Sequence, residues 1–146
     1  MTFDIRPYES AGKLYFGMTS VEAKKVLGEP SNTFLKTPLD TLETENYENK
    51  NLFIYYKEPS NIEAIEFYPP AQVVFDGIKL FELSYEALKT ILLKLDSELE
   101  IEVDGLTSYK LGIGAYAPNA DEDSSLTVES IIVFEKGYYE EGNSFL

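Results

Sequence analysis

Histidine and cysteine are both missing from this 146-residue chain. Without cysteine there is no disulfide, no thiolate metal site and no thiol to carry a lipid. Without histidine there is no imidazole ligand, and the usual nucleophile–base pairs of hydrolases lose their base. Positive charge is scarce as well: 12 Lys and Arg stand against 26 Asp and Glu, a formal charge of −14. That balance repels phosphate backbones and anionic lipid surfaces, so neither nucleic acid nor membrane is expected as a partner. No apolar run approaches the roughly 18 residues of a membrane-spanning helix. The opening "MTFDIRPYES" lacks the basic start and apolar centre of a secretory signal, so a cytoplasmic protein is expected.

What is present suits a packed domain. Hydrophobic residues make up 44%, with 11 Tyr and 9 Phe, which argues against a disordered chain. The length fits one compact domain or two small halves sharing a core. The acid surplus would steer a basic protein toward the chain, at a rate that falls as salt rises. The same surplus also serves plain solubility.

The stretch "FGMTSVEAKKVLGEP" (Phe16 to Pro30) is punctuated as a helix. Thr19 and Glu22 form the T-x-x-E pattern of a capping box. Ala23, Val26 and Leu27 recur at helical spacing, Gly28 offers a left-handed stop, and Pro30 prevents continuation. A second helix is expected from Ser84 to about Leu95, with Leu88, Ile91, Leu92 and Leu95 on one side. At a constant offset of 65, Phe16 meets Phe81, the cap Thr19 meets the cap Ser84, and Val26 and Leu27 meet Ile91 and Leu92. Farther on, "IEAIEFY" (Ile62 to Tyr68) matches "VESIIVF" (Val128 to Phe134) at an offset of 66. Aromatic strand material precedes each, "NLFIYYK" in one case and "YKLGIGAY" in the other. An α+β chain is therefore expected, built from two tandem units packed as one body, residues 1–72 and 73–146. Each unit reads as a helix followed by about three antiparallel strands, the first of them near "LETENYE" and "SELEIEVD".

Gly17-Met18-Thr19, then seven residues, then Leu27-Gly28-Glu29-Pro30, resembles the opening motif of small outer-membrane-assembly lipoproteins of the SmpA/OmlA type. It is also similar to the motif that opens the repeats of β-lactamase inhibitor proteins. The resemblance implies a fold of two tandem helix-plus-sheet units that present an open sheet face to another protein. A lipoprotein role does not carry over, because the lipidation cysteine is missing; the disulfides of the inhibitor family are missing for the same reason.

Alternation along the strands tests for such a face. It sends Ile65 and Phe67, with Ile131 and Val133, to one side, and Ile62, Ala64, Glu66 and Tyr68, with Val128, Ser130, Ile132 and Phe134, to the other. If helices cover the first set, the second side still carries apolar residues, whereas a half-covered sheet ordinarily shows polar ones there. Either "FDIRPY" or "SNTFLKTPLD" covers that side, or it is a protein-binding surface. For the second case the expected anchors are Tyr55, Tyr56, Tyr68, Ile132 and Phe134, with Glu66 among them.

Catalysis finds no support, since no carboxylate pair stands out among 26 acids. Asp121, Asp123 and Ser125 alternate like calcium ligands, but Leu126 and Ile132 occupy the positions where such a loop needs Gly and Glu. No metal and no cofactor are expected; Asp121, Glu122 and Asp123 are expected instead to attract a basic partner. The tail "KGYYEEGNSFL" is open to three readings: sheet edge, contact element or frayed end. The function expected is that of a small acidic, non-catalytic inhibitor or immunity-type protein that blocks a basic protein through its open sheet face. A homo-oligomeric assembly module and a small-molecule binder with a pocket between the halves are the alternatives.

Overall fold

The computed structural model describes residues 1–139; "EEGNSFL", the last part of the tail, lies outside the described residues. The chain is α+β, and the described residues form two helices and two sheets. In order, the strands and helices are β1 (Thr2–Arg6), β2 (Ser10–Ala11), β3 (Leu14–Tyr15), α1 (Ser20–Leu27), β4 (Asn32–Phe34), β5 (Thr44–Tyr47), β6 (Leu52–Lys57) and β7 (Asn61–Phe67). They continue with β8 (Gln72–Phe75), β9 (Ile78–Lys79), α2 (Tyr85–Leu95), β10 (Glu100–Glu102), β11 (Gly105–Ser108), β12 (Ile113–Tyr116) and β13 (Ser130–Phe134).

Both helices start where their caps predict. Thr19 Oγ1 accepts from Glu22 N–H at 3.2 Å, and Glu22 Oε1 accepts from Thr19 N–H at 3.0 Å, which completes the capping box. Ser84 Oγ accepts from Ala87 N–H at 3.1 Å at the head of α2. Gly28 stops α1 at φ +87°, a conformation that costs glycine little.

The large sheet holds eight strands in the order β10-β11-β12-β13-β7-β6-β5-β4, every neighbouring pair antiparallel. The order reads outward in the same way from the central β7–β13 pair, through three strands on either side. In the large sheet four strands follow each helix where about three are expected: β5 and β10 lie in "LETENYE" and "SELEIEVD", and the short strands β4 and β11 are added to them. A smaller sheet, β3-β2-β1-β8-β9, is joined by parallel pairing of β1 with β8, Phe3 opposite Val73.

A single hydrophobic cluster lies on one side of the large sheet. Ala23 and Leu27 of α1 and Tyr85, Leu88 and Leu92 of α2 meet Leu52, Ile54, Ile65, Phe67, Ile131 and Val133. Phe3 and Ile5 join them, with the Phe3 and Phe67 rings 4.9 Å apart, so "FDIRPY" begins by packing on the helix side. Burying one such side chain is worth about 1.5–3 kcal/mol.

One expectation about the faces is overturned. Between β6 and β7 the register passes from Tyr55 opposite Ala64 to Tyr56 opposite Ile62, leaving Glu63 as an extra residue. This bulge reverses the alternation beyond it. Ile62 is therefore fully buried in the helix-side core rather than on the outer face, and Val128, which precedes β13 and so escapes its alternation, is buried in the same cluster. A straight strand would turn Ile62 to the outside and forfeit about 2 kcal/mol of apolar burial.

Candidate functional site: the outer face of the large sheet

The register of the sheet sorts the expected residues. Phe53 and Tyr55 on β6, Ala64 and Glu66 on β7, and Ser130, Ile132 and Phe134 on β13 share the face away from the helices. Gly114 and Tyr116 of β12 and Gly105 and Thr107 of β11 continue it. The structure thus brings Tyr55, Glu66, Ile132 and Phe134 together, and Tyr68, just past β7, adjoins them through its ring contact with Phe53 at 5.3 Å. Phe53 also meets Phe34 edge-on at 6.1 Å, giving the β4 end of the face an aromatic ladder.

Glu66 stands at the centre. Tyr55 Oη donates to its Oε1 at 2.5 Å, and Ser130 Oγ donates to its Oε2 at 2.8 Å. Among the described residues no Lys or Arg forms an ion pair with it. Burial pushes the Tyr55 hydroxyl well above the usual tyrosine range, and its hydrogen bond to Glu66 adds to that. Beside Glu66 lies an open hollow of about 280 Å³. Gly105, Thr107 and Gly114 are among its floor residues, with Ile132, Tyr116 and Tyr139 around them and Glu102 and Asp104 at the rim. A Cβ added to Gly114 would sit 3.0 Å from Ile132 Cγ2, so glycine is what keeps that part of the floor low.

Five expected site residues, Phe134, Tyr56, Asp121, Glu122 and Asp123, add nothing to the accessible part of the face. Phe134 faces outward but is only 1% exposed, because the chain covers it with its own rings: Tyr139 at 4.9 Å, Tyr138 at 5.7 Å, Tyr8 at 6.0 Å and Tyr109 at 6.4 Å. It supports the site from beneath and offers no surface. Tyr56 sits next to Tyr55 in a strand and so points to the opposite face, toward the helices. There its Oη donates to Glu45 Oε1 at 2.5 Å, alongside Tyr47 Oη at 3.0 Å, while Ser20 Oγ donates to Glu45 Oε2 at 2.5 Å. The exposed acids Asp121, Glu122 and Asp123 belong to the β12–β13 connection. That connection offers Ser124 and Leu126 carbonyls to Glu86 N–H and Tyr85 N–H, at 3.0 and 2.7 Å, and so caps α2 on the helix side. Asp123 accepts from Ser125 N–H and Oγ, which hold its carboxyl below the usual range. No group of three or more potential metal-binding side chains occurs among the described residues.

Two flanking segments partly cover one corner of the face. Lys36, from the β4–β5 connection, sets its Nζ 4.2 Å above the Tyr55 ring. Lys57 pairs with Glu135 at 2.7 Å and ties the end of β6 to the turn that carries Tyr138 and Tyr139. Near this pair, burial and then the Glu135 charge raise the Glu63 carboxyl above its usual range. The surface residues that sequence reasoning missed are Phe53, Tyr116, Tyr139, Glu102 and Asp104. Phe53 was legible two positions before Tyr55, whereas the others depend on pairing between distant strands. Comparison of the chain with protein-family models, with curated proteins and with solved structures finds no match to any of them.

Proposed function

We propose that this protein is a small non-catalytic inhibitor of the immunity type, which blocks a basic protein by laying the outer face of its large sheet against it. The observation that carries the reading is the character of that face. Among the described residues no helix covers it, and Tyr68, Ile132, Phe53 and Tyr116 remain partly or well exposed around Glu66, with 47% of Tyr116 accessible. Aromatic anchors ringed by acids suit a protein partner, since rings supply contact area and charges supply orientation. A formal charge of −14 favours a basic partner and opposes pairing of two copies through this face. In the same reading the chain is a tandem repeat of the inhibitor-like kind, residues 1–72 and 73–146 each contributing a helix and four strands of the large sheet. The matching caps Thr19 and Ser84, the positive φ of Gly12 and Gly77, and the strand order about β7 and β13 support it.

Affinity capture from the native host on the immobilised chain, at low and moderate salt, tests the function. A basic protein should be retained by the wild type, lost with Ile132→Lys, and kept by the triple change of Asp121, Glu122 and Asp123 to their amides. Recovery of the chain alone, or retention that ignores Ile132→Lys, would overturn the reading.

A further inference from the structure

Resting on the sheet-face reading above, we propose that the hollow beside Glu66 is the seat of one arginine side chain of the partner. Three independent features of the hollow converge on that occupant. The first is charge. Glu66 is half-buried on the face and, among the described residues, its side chain accepts hydrogen bonds from the hydroxyls of Tyr55 and Ser130, which carry no compensating charge and leave further lone pairs on both oxygens. Glu102 and Asp104 add acids at the rim, and none of the three forms an ion pair with a Lys or Arg among the described residues.

The second feature is shape. Gly114 leaves the face without a side chain between Thr107 and Ile132, and Gly105 lets β11 approach β12 so closely that a Cβ there would collide with the Ala115 carbonyl oxygen; about 280 Å³ lies open beside them. The third is the wall. Tyr116 and Tyr139 border the space, and a planar guanidinium can stack on such rings while its N–H fork meets a carboxylate. Lysine, a point charge on a flexible stem, would use the carboxylates but not the rings in this way. Elsewhere on the same face the chain's own Lys36 sits over the Tyr55 ring, a cation–ring contact of the kind assigned to Tyr116 and Tyr139.

The test uses the full chain labelled with ¹⁵N and a defined probe, N-acetyl-arginine methylamide, followed by amide chemical shifts. Shifts should concentrate at Gly105, Thr107, Gly114, Ser130 and Ile132. The citrulline analogue, equal in shape and uncharged, should bind at least about tenfold more weakly, and the lysine analogue about threefold more weakly. Glu66→Gln should weaken arginine about tenfold. Thr107→Tyr, which fills the hollow without touching the Tyr55–Glu66–Ser130 group, should abolish the shifts, so the result does not hang on one variant's folding. Shifts centred instead on Phe53 and Tyr68 would overturn the arginine seat while leaving the sheet face as the docking surface. Shifts confined to Asp121–Asp123, equal binding of citrulline, or no saturable shifts would overturn the seat as well, the first of these removing the face reading with it.

Discussion

Two glutamates on opposite faces of the same sheet are held by the same chemistry and end in different states. Glu45 and Glu66 each receive hydroxyl hydrogens from tyrosine and serine, and neither pairs with a cation among the described residues. Glu45 has three donors, Ser20, Tyr47 and Tyr56, and is 5% exposed beneath α1. Glu66 has two and opens onto the hollow. The lesson is that a carboxyl group closed by a third hydroxyl is a fastener, whereas one left with spare lone pairs and an open side can meet a visitor. Asp96 belongs with Glu45: it is buried at the end of α2 and accepts from Ser108 Oγ at 2.7 Å and Glu98 N–H at 3.0 Å.

The sharpest way to break this contrast is to remove each group in turn. Glu45→Ala strands three hydroxyls, two of them on tyrosines in or against the core, and should cost about 3 kcal/mol in urea denaturation. Phe134→Ala should cost about as much, near 3 kcal/mol, because the ring is covered on every outward side; a loss below about 1 kcal/mol would show that the outer aromatics do not pack on it. Glu66→Ala should cost only about 1 kcal/mol, since Tyr55 and Ser130 can turn toward water, yet it should remove arginine binding. If Glu66→Ala destabilised as much as Glu45→Ala, the two carboxyl groups would be alike and Glu66 would be structural.

A pH measurement sharpens the same comparison. Burial raises Tyr47, Tyr55 and Tyr56 above the usual range, and the neighbouring Glu45 or Glu66 raises them further. Below about pH 10 these tyrosines are protonated in both the folded and the unfolded chain, and their contribution is fully present. Above it the unfolded chain loses protons that the folded chain keeps, so stability falls as pH rises. Tyrosinate absorbance of the folded chain should show a fraction that resists ionisation well past pH 10. Glu45→Gln should release part of that fraction, and Glu66→Gln a smaller part. The smallest effect expected is on the helix caps: Thr19→Ala should cost about 1 kcal/mol without touching either face.

Much of this was readable from local pattern. Caps are decided within four residues, so Thr19, Glu22, Gly28 and Ser84 announced both helices. Strict alternation grouped Ile65, Phe67, Ile131 and Val133 on one side, which is the side the helices cover. Alternation failed at Glu63, because a bulge is fixed by the partner strand and leaves no mark of its own in "NIEAIEF". It could not see that Phe134 is roofed by Tyr8, which comes from the other end of the chain. Nor could it find the hollow, since Gly114 comes to lie opposite Thr107, and Tyr116 opposite Gly105, only through the β11–β12 register.

The central pairing of β7 with β13 has a consequence for synthesis. As the chain leaves the ribosome, Asn61–Phe67 emerges more than sixty residues ahead of Ser130–Phe134, the strand that finally lies against it. Until then one whole edge of β7 has unpaired backbone groups, with Ile65 and Phe67 beside it, which is the profile of an aggregation-prone intermediate. The middle seam of the sheet cannot close before Ser130–Phe134 is made, so a chain halted short of Ser130 leaves that edge of β7 open.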